Sequence, residues 1–426
     1  TKSGGGRFVM AGKKNRAAGR KRSGFVIRMV VAGCLAAGLL VACGEETKTE
    51  KQGGLDTVSE EGQDTESVAD TQTQETARQE EMTEPAGTEA AEAEDAGAAR
   101  MREQFGEDCI AGQTFEVELS EYAQPVFFVP FAPSEENPVF RMQMIQNGEV
   151  LTEIDANVPK ALEGAPFTSL DAVSFYDLNF DGNTDIVLIE TYGDTSFASV
   201  YYGYDEDGSR FFVAQEQVSE NLTAQVEELS VAGIRSFLTG GKKNGEFDDY
   251  QEAYRAVGRL CSLQNSEETF ALLYIDEDET PELAAGMSGY YVSLYTFHDG
   301  TIYTLMNQWA YGAMGNHGYE YAPRQNSLRN YNADYAGAVL YTTYMQIGAG
   351  YTIDTIASVK TLNFDDVNGN GSPDEEEMGS VGLYCASYVD GREITAEEAA
   401  AYDKGEYEYL SGEMNLTQLE AALGQD

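Results

Sequence analysis

Residues 174–188 read SFYDLNFDGNTDIVL. Two apolar runs of strand composition flank a segment in which Asp177, Asn179, Asp181, Asn183 and Asp185 fall at alternate positions. An ordinary turn needs one or two such side chains to bond its backbone, and five is more than turn chemistry asks for. Two carboxylates ~4 Å apart repel by about 1 kcal/mol in water and by ~4 at an effective dielectric of 20. A fold that converges three of them therefore needs a compensating cation or full access to water. Gly182 is the sixth residue counted from Asp177. Loops that hold calcium take oxygen ligands at positions 1, 3, 5, 7 (by backbone) and 9, with Gly at 6 for the sharp turn. The match runs through position 9, while Leu188 stands at position 12 where an EF-hand has its bidentate Glu. Hard oxygen donors select calcium over zinc or copper. The expectation is a calcium loop set between β-strands.

A second copy lies at 366–377, DVNGNGSPDEEE. Asp366, Asn368, Asn370, Ser372 (by backbone), Asp374 and Glu377 occupy positions 1, 3, 5, 7, 9 and 12, with Gly371 at 6. Pro373 and the β-branched TIDTIASVKTL before the loop argue against helical flanks, so this too is expected to be strand-flanked. A weaker third candidate is IDEDETPEL, 275–283. Aligned on the second copy, it places Asp276, Asp278 and Glu282 at ligand positions, Tyr274 at position 1 and Glu279 in place of the glycine. A degenerate loop without metal and a working one are both open readings there.

The chain has 27 basic and 73 acidic residues, unevenly spread. Nine of the basic residues precede Cys43 and no acidic one does, which leaves 18 basic against 73 acidic in the remainder. A body this acidic argues against nucleic acid, because phosphate binding needs clustered Lys and Arg. It fits an exported protein or one that binds cations. The basic start is followed by the apolar run Met29–Ala42, too short for a membrane span of about 20 residues but suited to a secretory signal. Leu40-Val41-Ala42-Cys43 resembles the bacterial lipoprotein box, in which the Cys is acylated and becomes the first mature residue. Val31-Ala32-Gly33-Cys34 is a weaker match, and a simple N-terminal anchor helix is the alternative. Met10 is the expected start codon. Residues 43–103 are rich in Glu, Thr, Gln, Ala and Gly, with no aromatic before Phe105. Such a stretch cannot bury enough apolar area to offset its ordering entropy. It is expected to be a disordered acidic linker spanning roughly 40 Å on average. Beyond Cys43, Cys109, Cys261 and Cys385 are isolated, with no CxxC; buried thiols are expected rather than a disulfide framework or a zinc site.

The folded part reads as mainly β with some helix (α+β), in two β-rich domains. Strands are expected at TFEVEL, PVFFVPF, PVFRMQMIQ and EVLTEID, then AVSFYD, DIVLIET, ASVYYGY and RFFVAQ, with Asn147-Gly148 a hairpin turn. These make a first domain at 104–238 with a short helix near its end. A second, at 239–426, opens with the helix DDYQEAYRAVGRLCSL and continues in strands from FALLYID to TIDTIASVKTLNF. Thr395 and Glu398 form a capping box, and LTQLEAAL a last helix.

The acylation box, the acidic tether, DLNFDGNTDI, the PEL loop and the Tyr-rich GNHGYEYAP together resemble uncharacterised surface lipoproteins of Gram-positive clostridia with FG-GAP-, dockerin- or EF-hand-like calcium loops. The resemblance covers most of the chain. It implies calcium binding, lipid anchoring through Cys43 and an extracellular position at the cell membrane, and it carries no catalytic residues. Catalytic motifs are equally scarce in the residues themselves. His298 and His317 are the only histidines, GMSG lacks the GxSxG spacing, and there is no HExxH or phosphate-binding glycine loop. Tyr319, Tyr321, Tyr331, Tyr335, Tyr341 and Tyr344, near Trp309 and Tyr311, offer a contact surface for carbohydrate or protein, or plain sheet packing. The reading is a lipid-anchored, calcium-binding surface module, binding or structural. The alternatives are an extracellular hydrolase acting on carbohydrate and a solute-binding lipoprotein of a transporter, although the latter's alternation of helices and strands is missing.

Overall fold

The computed structural model describes residues 97–424, apart from 120, 121, 123, 207, 208 and 314. The expected export signal, the expected lipidation site Cys43 and the part of the expected linker up to residue 96 lie outside the described residues. The fold is mainly β, with several antiparallel sheets and a minority of helix, as the alternating and apolar runs imply.

Three four-stranded meanders come first. They are β1 (Phe115–Val117) to β4 (Glu149–Asp155), β5 (Phe167–Tyr176) to β8 (Ser209–Ala214), and β9 (Thr269–Leu273) to β12 (Thr301–Ala310). Within each, every strand pairs antiparallel with its neighbour in sequence. A seven-stranded sheet closes the chain, in the spatial order β18 (Arg392–Ile394), β17 (Ala386–Val389), β16 (Ile353–Leu362), β15 (Val339–Ile347), β14 (Ser327–Asp334), β13 (Tyr319–Ala322) and β19 (Glu408–Tyr409). The tight hairpins use the residues that tolerate positive φ. Asn147 and Gly148 adopt φ of 52° and 82°, and Asp299 and Gly300 φ of 47° and 82°, as a two-residue turn matched to strand twist demands.

The apolar clusters explain the order of the layers. On β6 (Asp185–Tyr192), Ile186 and Leu188 enter a cluster with Phe128, Met142 and Ile154 of the first sheet. Val187 and Ile189, pointing the other way, enter the largest cluster with the helices. On β10 (Glu282–Met287), Leu283 and Ala285 face that same helical cluster, while Ala284 faces Leu328 and Met345 of the last sheet. Both middle sheets are thus covered on both faces. This is why DIVLI and ELAAG read as continuous apolar runs rather than alternating ones. The helix Tyr250–Gln264 sits in the largest cluster with Tyr254, Val257, Leu260 and Cys261 buried. Asp249 caps it by accepting from Glu252 N at 2.8 Å, worth about 1 kcal/mol. The capping box at Thr395 and Glu398 is present.

Two expectations need correction, the end of the linker and the burial of Cys385. Residues 97–103, read as linker, are helical in a segment 97–105, because Met101 and Phe105 pack on Cys109, Val129 and Phe131. The largest cluster takes in residues on both sides of 238, and the described residues belong to one compact unit. Cys109 and Cys261 are buried thiols, but Cys385 is exposed. Among the described residues no helix is long and apolar enough to cross a membrane.

Glu190 on β6 is fully buried. Its Oε2 accepts from Ser199 Oγ at 2.9 Å, and Oε1 has no partner. Burial pushes its carboxyl up to about 7, against the pull of the Ser199 hydrogen bond. A folded-state value raised above the unfolded one means the native state holds its proton longer, so stability is lost as pH rises from about 4.5 through about 7. Glu190→Gln should remove this slope. Urea titrations should find the variant more stable by on the order of 3 kcal/mol at pH 8 and little changed at pH 4.

Candidate metal centre

The three acidic segments fold as one turn built three times, each joining neighbouring antiparallel strands. The first, 177–184, links β5 to β6, the third, 274–281, links β9 to β10, and the second spans the connection from β16 (Ile353–Leu362) to β17 (Ala386–Val389). In the first, Asp181 N donates to Asp177 Oδ1 and to Asn179 Oδ1, both at 3.1 Å. Gly182 N donates to Asp177 Oδ2 at 3.2 Å, and Asn183 N to Asp181 Oδ1 at 2.8 Å. The second repeats these bonds position for position. Asn370 N donates to Asp366 Oδ1 at 3.1 Å and Asn368 Oδ1 at 3.0 Å, Gly371 N to Asp366 Oδ2 at 2.9 Å, and Ser372 N to Asn370 Oδ1 at 2.7 Å. Gly182 and Gly371 take φ of 84° and 72°, the left-handed bend that glycine permits at no cost in clashes. The third keeps the later bonds, Asp278 N to Asp276 Oδ1 at 3.0 Å and Thr280 N to Asp278 Oδ1 at 2.7 Å. Tyr274 stands at its first position and offers no carboxylate.

Each turn is closed by an acid reaching back to its beginning. Asp185 Oδ2 accepts from Leu178 N at 2.8 Å and Asn179 N at 3.1 Å, and Oδ1 accepts from Gly203 N of β7 (Thr195–Glu206) at 2.9 Å. Glu282 does the same in the third turn, accepting from Ile275 N at 2.9 Å and from Thr296 Oγ1 on β11 (Tyr291–His298) at 3.3 Å. In the second turn the closing acid is Glu377, which accepts from Asn368 N at 3.2 Å and Asp374 N at 3.1 Å. Asp374 in turn accepts from Glu377 N at 2.9 Å, at the start of a 3-10 turn, Glu377–Ser380. The second loop therefore leaves through a helical turn before reaching its strand. The side chains named from sequence are brought together in all three places.

Surroundings differ, and no local pattern announces them. In the first turn Leu178 and Phe180 are buried in the main cluster. Thr304 Oγ1 donates to Phe180 O at 2.6 Å, and Asn244 Nδ2 lies 3.4 Å from Asp177 Oδ2. Arg210 NH2 donates to Asn183 Oδ1 at 3.4 Å. In the second turn Lys360 Nζ donates to Gly371 O at 2.9 Å. In the third, Arg324 donates through its backbone to Tyr274 O at 2.9 Å and through NH1 to Asp278 O at 3.1 Å, with its guanidinium 4.4 Å from the Tyr274 ring centre.

The electrostatics follow from burial. Removal from water pushes the Asp177 carboxyl up to about 6, with Asp181 adding repulsion. The same effect pushes Asp185 up to about 8, although its backbone hydrogen bonds pull the other way. Asp181 is raised by burial while Arg210 and neighbouring amides oppose this. Burial lifts Glu282 to about 8 and raises Asp278. Among the described residues no group of three or more His, Cys, Asp or Glu side chains is arranged to hold a metal ion. In the first turn three of the roughly four acceptor positions of Asp185 are already taken by backbone N–H. The donors remaining are all oxygens, with no His or Cys beside them, which suits a hard divalent cation.

Asp185→Ala leaves three backbone N–H groups without their acceptor. Denaturant unfolding should register a loss of about 3 kcal/mol or more, and a near-neutral result would mean that the loop is held by its apolar anchors instead. No protein-family model and no curated protein matches this chain.

Proposed function

We propose that this chain is a calcium-binding module on the outer face of a bacterial cell, anchored by lipid at Cys43 and acting there as a binding or structural element. One observation carries the calcium part: the same hydrogen-bonded Asp/Asn turn is built at 177–184 and again at 366–377, with matching bonds at positions 1, 3, 5, 6 and 7. In the first, Asp177, Asn179, Asp181 and the main chain at Asn183 would hold the ion, with Asp185 completing the set. In the second, Asp366, Asn368, Asn370, the main chain at Ser372, Asp374 and Glu377 would do so. Bound calcium supplies positive charge where burial raises the carboxyls of Asp177 and Asp185 and so opposes their ionisation. Its role is structural, since the first turn touches Asn244 and Thr304 of the segment and sheet that follow. The third turn is read as a metal-independent counterpart. Tyr274 replaces its first ligand, and Arg324 supplies the positive charge.

The export reading rests on the basic, apolar, Leu-Val-Ala-Cys sequence of residues 1–43 and on the acidic remainder. At millimolar extracellular calcium, affinities of about 10⁻⁴–10⁻³ M suffice.

Thermal melts of the full chain titrated with calcium test the reading. At 10 mM calcium each working site should add about 1.4–2.7 kcal/mol, a rise of a few degrees. Chelator should abolish the rise. Asp181→Ala and Asp366→Ala should each remove part of it, and Asp276→Ala none. Identical melting curves in calcium and chelator would sink the proposal.

A further inference from the structure

Among the described residues, one cleft stands apart from three acidic ones. It holds about 360 Å³ beside the connection from β12 to β13, and Ser288, Tyr311, His317, Tyr319, Tyr409 and Ser411 are among its lining. No Asp, Glu, Lys or Arg lines it. The other sizeable clefts are acidic: one has Glu163, Glu216 and Glu220, another Asp248, Asp249 and Glu252, and a third lies against the second acidic turn at Asp365 and Asp366. In a chain with 73 acidic residues, an uncharged recess is a selective feature.

Its walls are set before any ligand arrives. Tyr311 N donates to Tyr290 O at 2.9 Å and Gly312 N to Asn316 O at 3.0 Å. The Asn316 amide is engaged on both sides, accepting from Gly318 N at 3.0 Å and donating to Asn330 Oδ1 at 3.2 Å. The Tyr311 ring rests against Gly318, where an added Cβ would come within 3.2 Å of a ring carbon. Tyr319 is fixed between Trp309 and Tyr311, with ring centres 5.6 and 6.4 Å away. Aromatic side chains held this way lose little freedom on binding.

We propose that this cleft binds a neutral sugar ring. An ionic ligand would find no counter-charge there, and a wholly apolar one would leave the serine and tyrosine hydroxyls unpaired. A pyranose offers both an apolar C–H face and a rim of hydroxyls, which tyrosines, serines and a histidine can meet together. The volume sits at the low end of small-molecule sites, about 300–1,000 Å³, so the site takes one ring or two rather than a long chain. The ring can come from a free sugar or from the end of a polysaccharide. This inference rests on the reading of the chain as a surface binding module and is independent of calcium.

Saturation-transfer NMR on the full chain with chitobiose, cellobiose and maltose, beside pull-downs on chitin, cellulose and starch, tests it. At least one disaccharide should bind, and its polymer should be retained if chain ends are the source. Tyr409→Ala, 55% exposed in a two-residue strand, should weaken binding about tenfold, and exposed His317→Ala should weaken it as well. Leu383→Ala, 84% exposed and outside the lining, should leave it unchanged. Binding to no probe, to polymers alone, or with no loss in Tyr409→Ala and His317→Ala would overturn the proposal. Every arm is run in calcium and in chelator. Sugar binding without a calcium-dependent melt removes only the calcium reading, and a calcium-dependent melt without sugar binding removes only this one.

Discussion

The joint around Asp185 carries more of this structure than any other single group. One carboxylate, fully buried, ties the start of its own loop to the neighbouring strand through three backbone N–H groups. Gly203 lets that strand approach closely, since a Cβ there would collide with the Thr184 carbonyl oxygen. Burial opposes ionisation and the hydrogen bonds favour it, and the balance leaves the proton held up to about pH 8. A nearby cation tips this balance toward the charged form. The loop is thus a place where folding and protonation share one free energy.

The same joint recurs with variations that show which parts are interchangeable. Asp185 and Glu282 close their loops from the same place in the turn and Glu377 from further along the chain, yet each reaches the N–H groups at the loop's beginning. Leu178 and Phe180 anchor the first loop in the core, whereas Val367 in the corresponding part of the second is 79% exposed. Charge compensation also varies, with Arg210 near the first, Lys360 on the second and Arg324 clamping the third. Two of the loops also serve as seams: Thr304 of the third sheet bonds the first loop, and the Arg324–Asn326 turn of the last sheet bonds the third.

The aromatic residues divide by strand direction rather than forming one surface. Tyr321 joins the cluster between the last two sheets, while Tyr344 belongs to a separate cluster with Val359 and Ile394, and Tyr341 packs against a third. Of the six tyrosines read as a group, Tyr319 is the one that stands with Trp309 and Tyr311 at the neutral cleft. Tyr409, which shares that cleft, comes from a strand 90 residues further along; its contribution depends on β19 pairing with β13.

The local signals in the sequence carried far. Alternating Asp and Asn with a glycine at the sixth place specify a turn whose side chains bond its own backbone, so the turns at 177–184 and 366–372 and the partial third at 274–281 were legible as turns. The hairpin at Asn147-Gly148 and the cap at Thr395 were readable for the same reason, because each is a bond between residues a few positions apart. What the tertiary structure alone decided is everything that needs two distant segments to meet. The sandwiching of β6 and β10 between layers, the docking of 97–105, the burial of Glu190, the cations beside each loop and the uncharged cleft all depend on long-range packing. A periodicity shows which face of a strand is apolar, but not which partner covers it, and that is settled only when the sheets stack.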